Sequence, residues 1–141
     1  MRLVIMLTMI LFPVLVSAQN KPVQNSALAN QLGSAAGAAY ACNAGKSLED
    51  FEVIASRLLA NTAETAEDER SLDEVYVEAK VRAIKVHKKK HPMSCQEILK
   101  RFNNMRIFKF VVYADGSVKM DDGTMLHPKR PVKKPSQTKK K

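Results

Sequence analysis

The sequence predicts a mainly α-helical protein: a small four-helix domain stapled by one disulfide, with a C-terminal β-hairpin and a disordered basic tail. Three observations predict this fold. Apolar residues recur at helical spacing through most of residues 27–105. The chain of 141 residues, enough for one modest domain, contains two cysteines. A stretch rich in aromatic and β-branched residues then precedes a lysine-rich terminus.

Residues 1–18 have the pattern of a secretory signal peptide. Arg2 supplies a positive charge, residues 3–16 carry none, and Val16 and Ala18 occupy the two positions that signal peptidase reads. A membrane-spanning helix needs about 20 apolar residues. We therefore expect cleavage after Ala18, with an uncleaved anchor as the alternative. The expected location is the periplasm, and secretion from the cell is the alternative.

The folded domain is predicted to span residues 26–127. Residues 19–25 are polar, contain Pro22, and are predicted to form a flexible N-terminal extension. The first helix places its apolar residues on one face: Leu28, Leu32, Ala35, Ala39 and Cys42. Because Gly33 and Gly37 are four residues apart, we expect another helix to pack closely against this one.

Two capping boxes predict the starts of the second and third helices, at residues 47–50 and 65–68. The second helix has an apolar stripe that includes Phe51, Leu58 and Leu59. The third helix is apolar on two faces, one with Leu72, Val75 and Ala79 and one with Val77, Val81 and Ile84. A helix that is apolar on two sides is usually central, so we expect both faces to be covered.

A capping box at residues 94–97 predicts the fourth helix, and the hairpin follows it. Asp115-Gly116 is typical of a two-residue type I′ turn, which would place Tyr113 opposite Val118. Asp122-Gly123 indicates a further turn and a third strand, and no internal repeat is evident. An edge strand of this hairpin is a possible site of homo-oligomer formation.

Cys42 and Cys95 are predicted to form one disulfide, because an exported chain with two cysteines usually oxidises them. The bond would join the end of the first helix to the start of the fourth. In the chain-entropy model, a loop of this length contributes about 4 kcal/mol. The alternative is a free Cys95 thiolate at a helix N-terminus, four residues from His91.

No segment predicts a metal site, a cofactor or a reaction. His87 and His91 have a spacing that can bind one metal ion, but three lysines lie between them and Pro92 ends the helix. The carboxylates of residues 64–78 alternate with cations in the pattern of a solvated helix face. Because no nucleophile motif or phosphate-binding loop is present, we expect a protein that is not an enzyme.

Residues 128–141 are predicted to form the disordered tail. Seven cations are the candidate contacts with an anionic membrane or envelope polymer: Lys129, Arg130, Lys133, Lys134, Lys139, Lys140 and Lys141. Residues 19–128 contain 15 basic and 14 acidic side chains. Since the domain itself is nearly neutral, we expect no nucleic-acid partner.

The signal-peptide pattern, the two cysteines and the basic terminus together resemble small periplasmic accessory proteins of intracellular Gram-negative bacteria, including factors that support type IV secretion. The resemblance implies a non-catalytic interaction protein with an envelope protein partner, supporting a secretion system or envelope integrity. The alternative is a secreted effector or toxin whose basic tail targets host nucleic acid or membranes. A periplasmic chaperone or inhibitor is a further candidate.

Overall fold

The computed structural model describes residues 21–89 and 93–131. It contains four α-helices: α1 (Lys21–Ala41), α2 (Lys46–Thr62), α3 (Ala66–Lys89) and α4 (Cys95–Asn103). A short 3-10 helix, Arg106–Lys109, leads to strands β1 (Val111–Val112), β2 (Val118–Lys119) and β3 (Met125–Leu126). The predicted helical fold with its C-terminal hairpin is confirmed, and the predicted signal peptide lies outside the described residues.

Helix α1 begins at Lys21, so the prediction that all of residues 19–25 form a flexible extension is wrong. Pro22 is compatible with this start, because the first turn of a helix does not use the backbone N–H that proline lacks. Asn25 Nδ2 also donates a hydrogen bond to the carbonyl oxygen of Thr62, at 3.3 Å. This contact connects the beginning of α1 to the end of α2.

Helices α1 and α3 pack at very close range, as the two glycines predict. A Cβ atom at Gly33 would overlap the carbonyl oxygen of Tyr76, and one at Gly37 would overlap that of Lys80. Because both positions advance by four residues together, the two helices run in the same direction. Helix α2 connects them and runs in the opposite direction.

The core continues from this helix pair into an aromatic cluster. The ring centroids of Phe51 in α2 and Phe102 in α4 are 4.9 Å apart. Phe108 of the 3-10 helix packs edge-on against Phe102, with 5.3 Å between the ring centroids. Such geometries are favourable for aromatic pairs. The remaining buried residues of this core are Ala29, Leu32, Ala36, Ala39, Leu48, Ala55, Leu58, Leu59, Ala63, Leu72 and Ile107.

The two later helix starts are confirmed by their caps. At α3, Thr65 Oγ1 accepts a hydrogen bond from the Asp68 backbone N–H at 3.0 Å, and Asp68 Oδ2 accepts one from the Thr65 N–H at 2.9 Å. At α4, Ser94 Oγ accepts from the Glu97 N–H at 3.2 Å. The Glu97 carboxylate pairs with Arg101 instead of with the Ser94 backbone. Of these two helix starts, α3 has both hydrogen bonds of the capping box and α4 has one.

The cap predicted for α2 at Ser47 is wrong, because the helix begins at Lys46 and its N-cap is Gly45. The chain reverses direction between α1 and α2 within four residues. Asn43 and Gly45 both have φ of 57° in this connection. Glycine, and to a lesser degree asparagine, adopts this left-handed conformation with little strain.

The C-terminal sheet is antiparallel with strand order β1-β2-β3. Val112 lies opposite Val118, so the predicted pairing of Tyr113 with Val118 is wrong by one residue. Tyr113 N donates to the carbonyl oxygen of Ser117, which encloses a three-residue turn instead of a two-residue one. Gly116 has φ of 87°, whereas Asp115 does not have the positive φ that type I′ requires. This geometry is typical of a type I turn followed by a glycine bulge.

The same turn recurs seven residues later, between β2 and β3. Residues 114–117 read ADGS and residues 121–124 read DDGT. In each turn the aspartate accepts a hydrogen bond at 2.8 Å from the backbone N–H two residues on. The two turns predicted at Asp115-Gly116 and Asp122-Gly123 therefore share one hydrogen-bonding pattern.

Candidate functional site

The Cys42–Cys95 disulfide joins the C-terminal end of α1 to the first residue of α4, across 53 residues of sequence. The predicted pairing is confirmed. The alternative of a free Cys95 thiolate is wrong, because both cysteines are used in the bond. The bond fixes α4, and with it Phe102, against the α1–α2 pair.

His87 of α3 lies directly against this disulfide. Its Nε2 atom is 3.3 Å from Cys42 Sγ and 3.4 Å from Cys95 Sγ. The side-chain donors of these three residues lie within 4.8 Å of one another. Two thiolates and one imidazole form a ligand set that zinc accepts, but sulfurs joined in a disulfide are not thiolates. A metal ion would therefore require the reduced protein.

The spacing in the sequence associates His87 with His91, which lies outside the described residues. That spacing did not indicate that His87 contacts the two cysteines. Those residues are separated from His87 by 45 and 8 positions, and neither separation carries a helical or metal-ligand signature. Only the packing of α3 beside α1 brings them together.

A Ser, Asp and His cluster lies at the turn between β1 and β2. Ser117 Oγ donates to Asp115 Oδ2 at 2.9 Å and lies 3.1 Å from His127 Nδ1. In a catalytic triad the aspartate contacts the histidine and an accessible serine is the nucleophile. Here the aspartate contacts the serine, and Ser117 is 1% exposed. We conclude that the cluster stabilises the turn, and no local pattern in the sequence indicated the contact of His127 with Ser117.

Three carboxylates of the sheet region are stabilised in their charged form. The backbone N–H and hydroxyl of Ser117 lower the pKa of Asp115. A two-pronged contact with the Arg106 guanidinium, at 2.7 and 3.0 Å, lowers the pKa of Asp121. The Thr124 backbone N–H lowers the pKa of Asp122. Their role is structural, since each is committed to a partner within the protein.

The first cations of the predicted tail contact the domain. Lys129 Nζ lies 2.7 Å from Glu64 Oε1, and Arg130 Nη2 lies 2.5 Å from Glu69 Oε2. The prediction that residues 128–131 belong to a disordered tail is therefore wrong, because carboxylates at the start of α3 attract them. The other candidate cations, Lys133, Lys134, Lys139, Lys140 and Lys141, lie outside the described residues.

A cleft of about 830 Å³ lies between this segment and the adjoining ends of α2 and α3. Its lining includes the cations Arg57 and Arg70 and the carboxylates Glu69 and Asp73. Burial, and then the neighbouring Glu69, raise the pKa of Asp73. Arg130 Nη1 is buried there without a hydrogen-bond partner. Among the described residues that line the cleft, cations and carboxylates are mixed and no Ser, Cys or His is present.

Helix α3 is covered on one face only. Leu72 and Ala79 are buried, but Val77 is 55% exposed and Val81 is 42% exposed. The expectation that both apolar faces are covered is wrong, because α1 packs on the first face and no described element packs on the second. The result is an exposed apolar stripe formed by Val77, Val81 and the half-buried Ile84.

Within the described ranges, every helix is too short or too polar to cross a membrane. Comparison with known proteins finds no matching family, no significantly similar curated protein and no significantly similar solved structure. The resemblance to periplasmic accessory proteins therefore stays a prediction, and the functional argument rests on the residues themselves.

Proposed function

We propose that the protein is exported and acts as a non-catalytic interaction protein of the cell envelope, where it supports a secretion system or envelope integrity. The Cys42–Cys95 disulfide carries this proposal. Disulfides persist in the periplasm and outside the cell but are rare in the cytosol. A disulfide in a chain whose residues 1–18 have the pattern of a signal peptide is consistent with export.

The proposed means of localisation is electrostatic. Lys129 and Arg130 already pair with carboxylates of the domain, so we assign contact with anionic surfaces to the five lysines at positions 133–141. A lysine near an anionic membrane contributes up to about 1 kcal/mol of binding free energy. Several lysines acting together would hold the protein at the membrane or at an acidic envelope polymer while the domain contacts its protein partner.

Cell fractionation at low and high salt, followed by crosslinking and mass spectrometry, tests this proposal. We expect the protein in the periplasmic fraction, associated with membranes at low salt and released at high salt. Alkylation of thiols in acid-quenched cells should leave Cys42 and Cys95 unmodified. Crosslinks to components of an envelope machine would identify the partner.

A matched pair of variants isolates the contribution of the terminus. Replacing Lys139, Lys140 and Lys141 by glutamine should weaken membrane association. The control replaces Lys100, Lys109 and Lys119, three exposed lysines of the domain, and should leave association unchanged. Equal effects of the two sets would overturn the assignment to the terminus. Reduced cysteines in the cytosol would overturn export, and recovery in the medium or in a host cell would favour a secreted effector.

A further inference from the structure

The exposed stripe of α3 lies on a different side of the helix from the residues that pack on α1. Val77, Val81 and Ile84 follow one another at steps of four and three residues, which places them on one side of the helix. The same steps continue to Glu74 on one side and Lys88 on the other. This seam has the spacing that two helices use when they pair along their length.

The charges of α3 are separated along the same helix. Residues 66–78 contain six carboxylates and one arginine, whereas residues 79–89 contain five lysines or arginines and no carboxylate. Next to the stripe, Glu74 and Glu78 represent the acidic half, and Lys85 and Lys88 represent the basic half. In the described parts of the chain, none of these four residues forms an ion pair.

We propose that two copies of the protein form a dimer through this stripe, with their α3 helices antiparallel about a twofold axis. The valines of one copy would cover those of the other and remove exposed apolar surface from water. An antiparallel arrangement places the acidic half of each helix beside the basic half of its partner. Because the two copies are related by a twofold axis, the same acidic-to-basic contact occurs twice in the dimer. A parallel pair would place like charges together.

The charge pattern favours a second copy over an unrelated partner, because α3 is complementary to itself when reversed. Among the described residues, no element covers this surface in the folded monomer. The Cys42–Cys95 disulfide is at the end of the helix, and Lys80, on the flank of the stripe, is already paired with Glu52 of α2. Dimer formation therefore requires no change in the fold.

Sedimentation equilibrium on the oxidised protein, purified in the form that the cell accumulates, tests the proposal. We expect a reversible dimer between about 5 and 500 µM in low salt. Val81→Glu should raise its dissociation constant at least about tenfold, because Val81 is the central residue of the stripe and the twofold axis would bring the two buried carboxylates together. The matched control is Val111→Glu on edge strand β1, where Val111 is 50% exposed. This control should leave the dimer intact, and circular dichroism should show that both variants fold.

Charge reversal provides a second test that does not depend on the valines. A protein carrying Glu74→Lys and Glu78→Lys should be monomeric, and so should one carrying Lys85→Glu and Lys88→Glu. In each variant, a dimer would bring charges of the same sign together across the twofold axis. An equimolar mixture of the two should form a heterodimer.

Three results would overturn the proposal. One is a wild-type monomer at 500 µM, and that result would favour a different protein as the occupant of the stripe. Another is loss of the dimer in Val111→Glu but not in Val81→Glu, which would indicate pairing at the sheet edge. The third is a mixture of charge-reversed proteins that remains monomeric.

Discussion

At the scale of single residues, Asn61 connects the helical part of the protein to the sheet. Its side chain is 5% exposed. Its Nδ2 donates to the carbonyl oxygens of Gly116, at 3.0 Å, and Leu126, at 3.1 Å. One amide thus satisfies a carbonyl of the β1–β2 turn and a carbonyl of strand β3. No local pattern in the sequence indicated these distant partners of Asn61.

We predict that Asn61→Ala lowers the free energy of unfolding by about 1–3 kcal/mol, because it leaves a buried and a part-buried carbonyl oxygen without this donor. Urea unfolding followed by circular dichroism measures the change. Asn104→Ala is the control, since Asn104 Nδ2 bonds the Lys100 carbonyl oxygen at an exposed position. Equal losses in the two variants would show that Asn61 does not connect the sheet to α2.

The carboxylates around the sheet make its stability depend on acid. The pKa values of Asp115, Asp121 and Asp122 are lowered in the folded protein. Their contribution is complete above the unfolded-state pKa of about 3.9 and is lost as the pH falls through the lower folded-state values. The protein should therefore lose stability in this acidic range.

We predict that Asp121→Asn is less stable than the wild type at pH 7, and that the two proteins become equally stable at strongly acidic pH. The variant lacks the charged partner of Arg106, whereas the wild type loses it only on protonation. Thermal unfolding between pH 7 and 2 checks this. Asp50→Asn, which removes an exposed ion pair with Lys46, is the control, and a constant difference between Asp121→Asn and wild type would contradict the prediction.

At the scale of secondary-structure elements, the close contact of α1 with α3 is the feature most readable from sequence. Two glycines four residues apart predicted that another helix packs closely on α1, and the structure identifies it as α3, whose backbone both Gly33 and Gly37 meet. Which face of α3 is buried and which is exposed could not be predicted from the sequence. Both have apolar residues at helical spacing, and only the positions of the other elements determine which face is buried.

We predict that Gly37→Ala destabilises the protein by about 1–3 kcal/mol, the usual cost of overpacking. The added methyl group would collide with the Lys80 carbonyl oxygen and the Ala83 side chain. In an unconstrained helix the same change stabilises by about 1 kcal/mol. A loss of stability in Gly37→Ala would therefore indicate the close contact between α1 and α3. Ser34→Ala on the same helix is the control for calorimetric melting, and a higher melting temperature for Gly37→Ala would exclude the close contact.

At the scale of the whole molecule, one covalent bond constrains a small core. The aromatic cluster involves α2, α4 and the 3-10 helix, and α4 is only nine residues long. Helices of this length are marginal without tertiary contacts. The Cys42–Cys95 bond therefore holds a short helix in the position that the core requires.

We predict that replacing both cysteines by serine lowers the free energy of unfolding by about 4 kcal/mol, the chain-entropy value for a loop of 53 residues. Chemical denaturation of the oxidised wild type and the double variant measures this difference. Wild type reduced under denaturing conditions, alkylated and refolded is the matched control, and it should resemble the variant. An unchanged stability would show that the bond does not constrain the fold.

The sequence by itself determined the number of helices, the caps of α3 and α4 and the disulfide, because periodicity, capping and the pairing of two cysteines require little or no knowledge of distant contacts. Only the tertiary structure decided the sheet register, the partners of Asn61 and His87, the attachment of Lys129 and Arg130, and which face of α3 is exposed. Each of these depends on residues far apart in sequence, and their proximity arises from packing that no local pattern specifies.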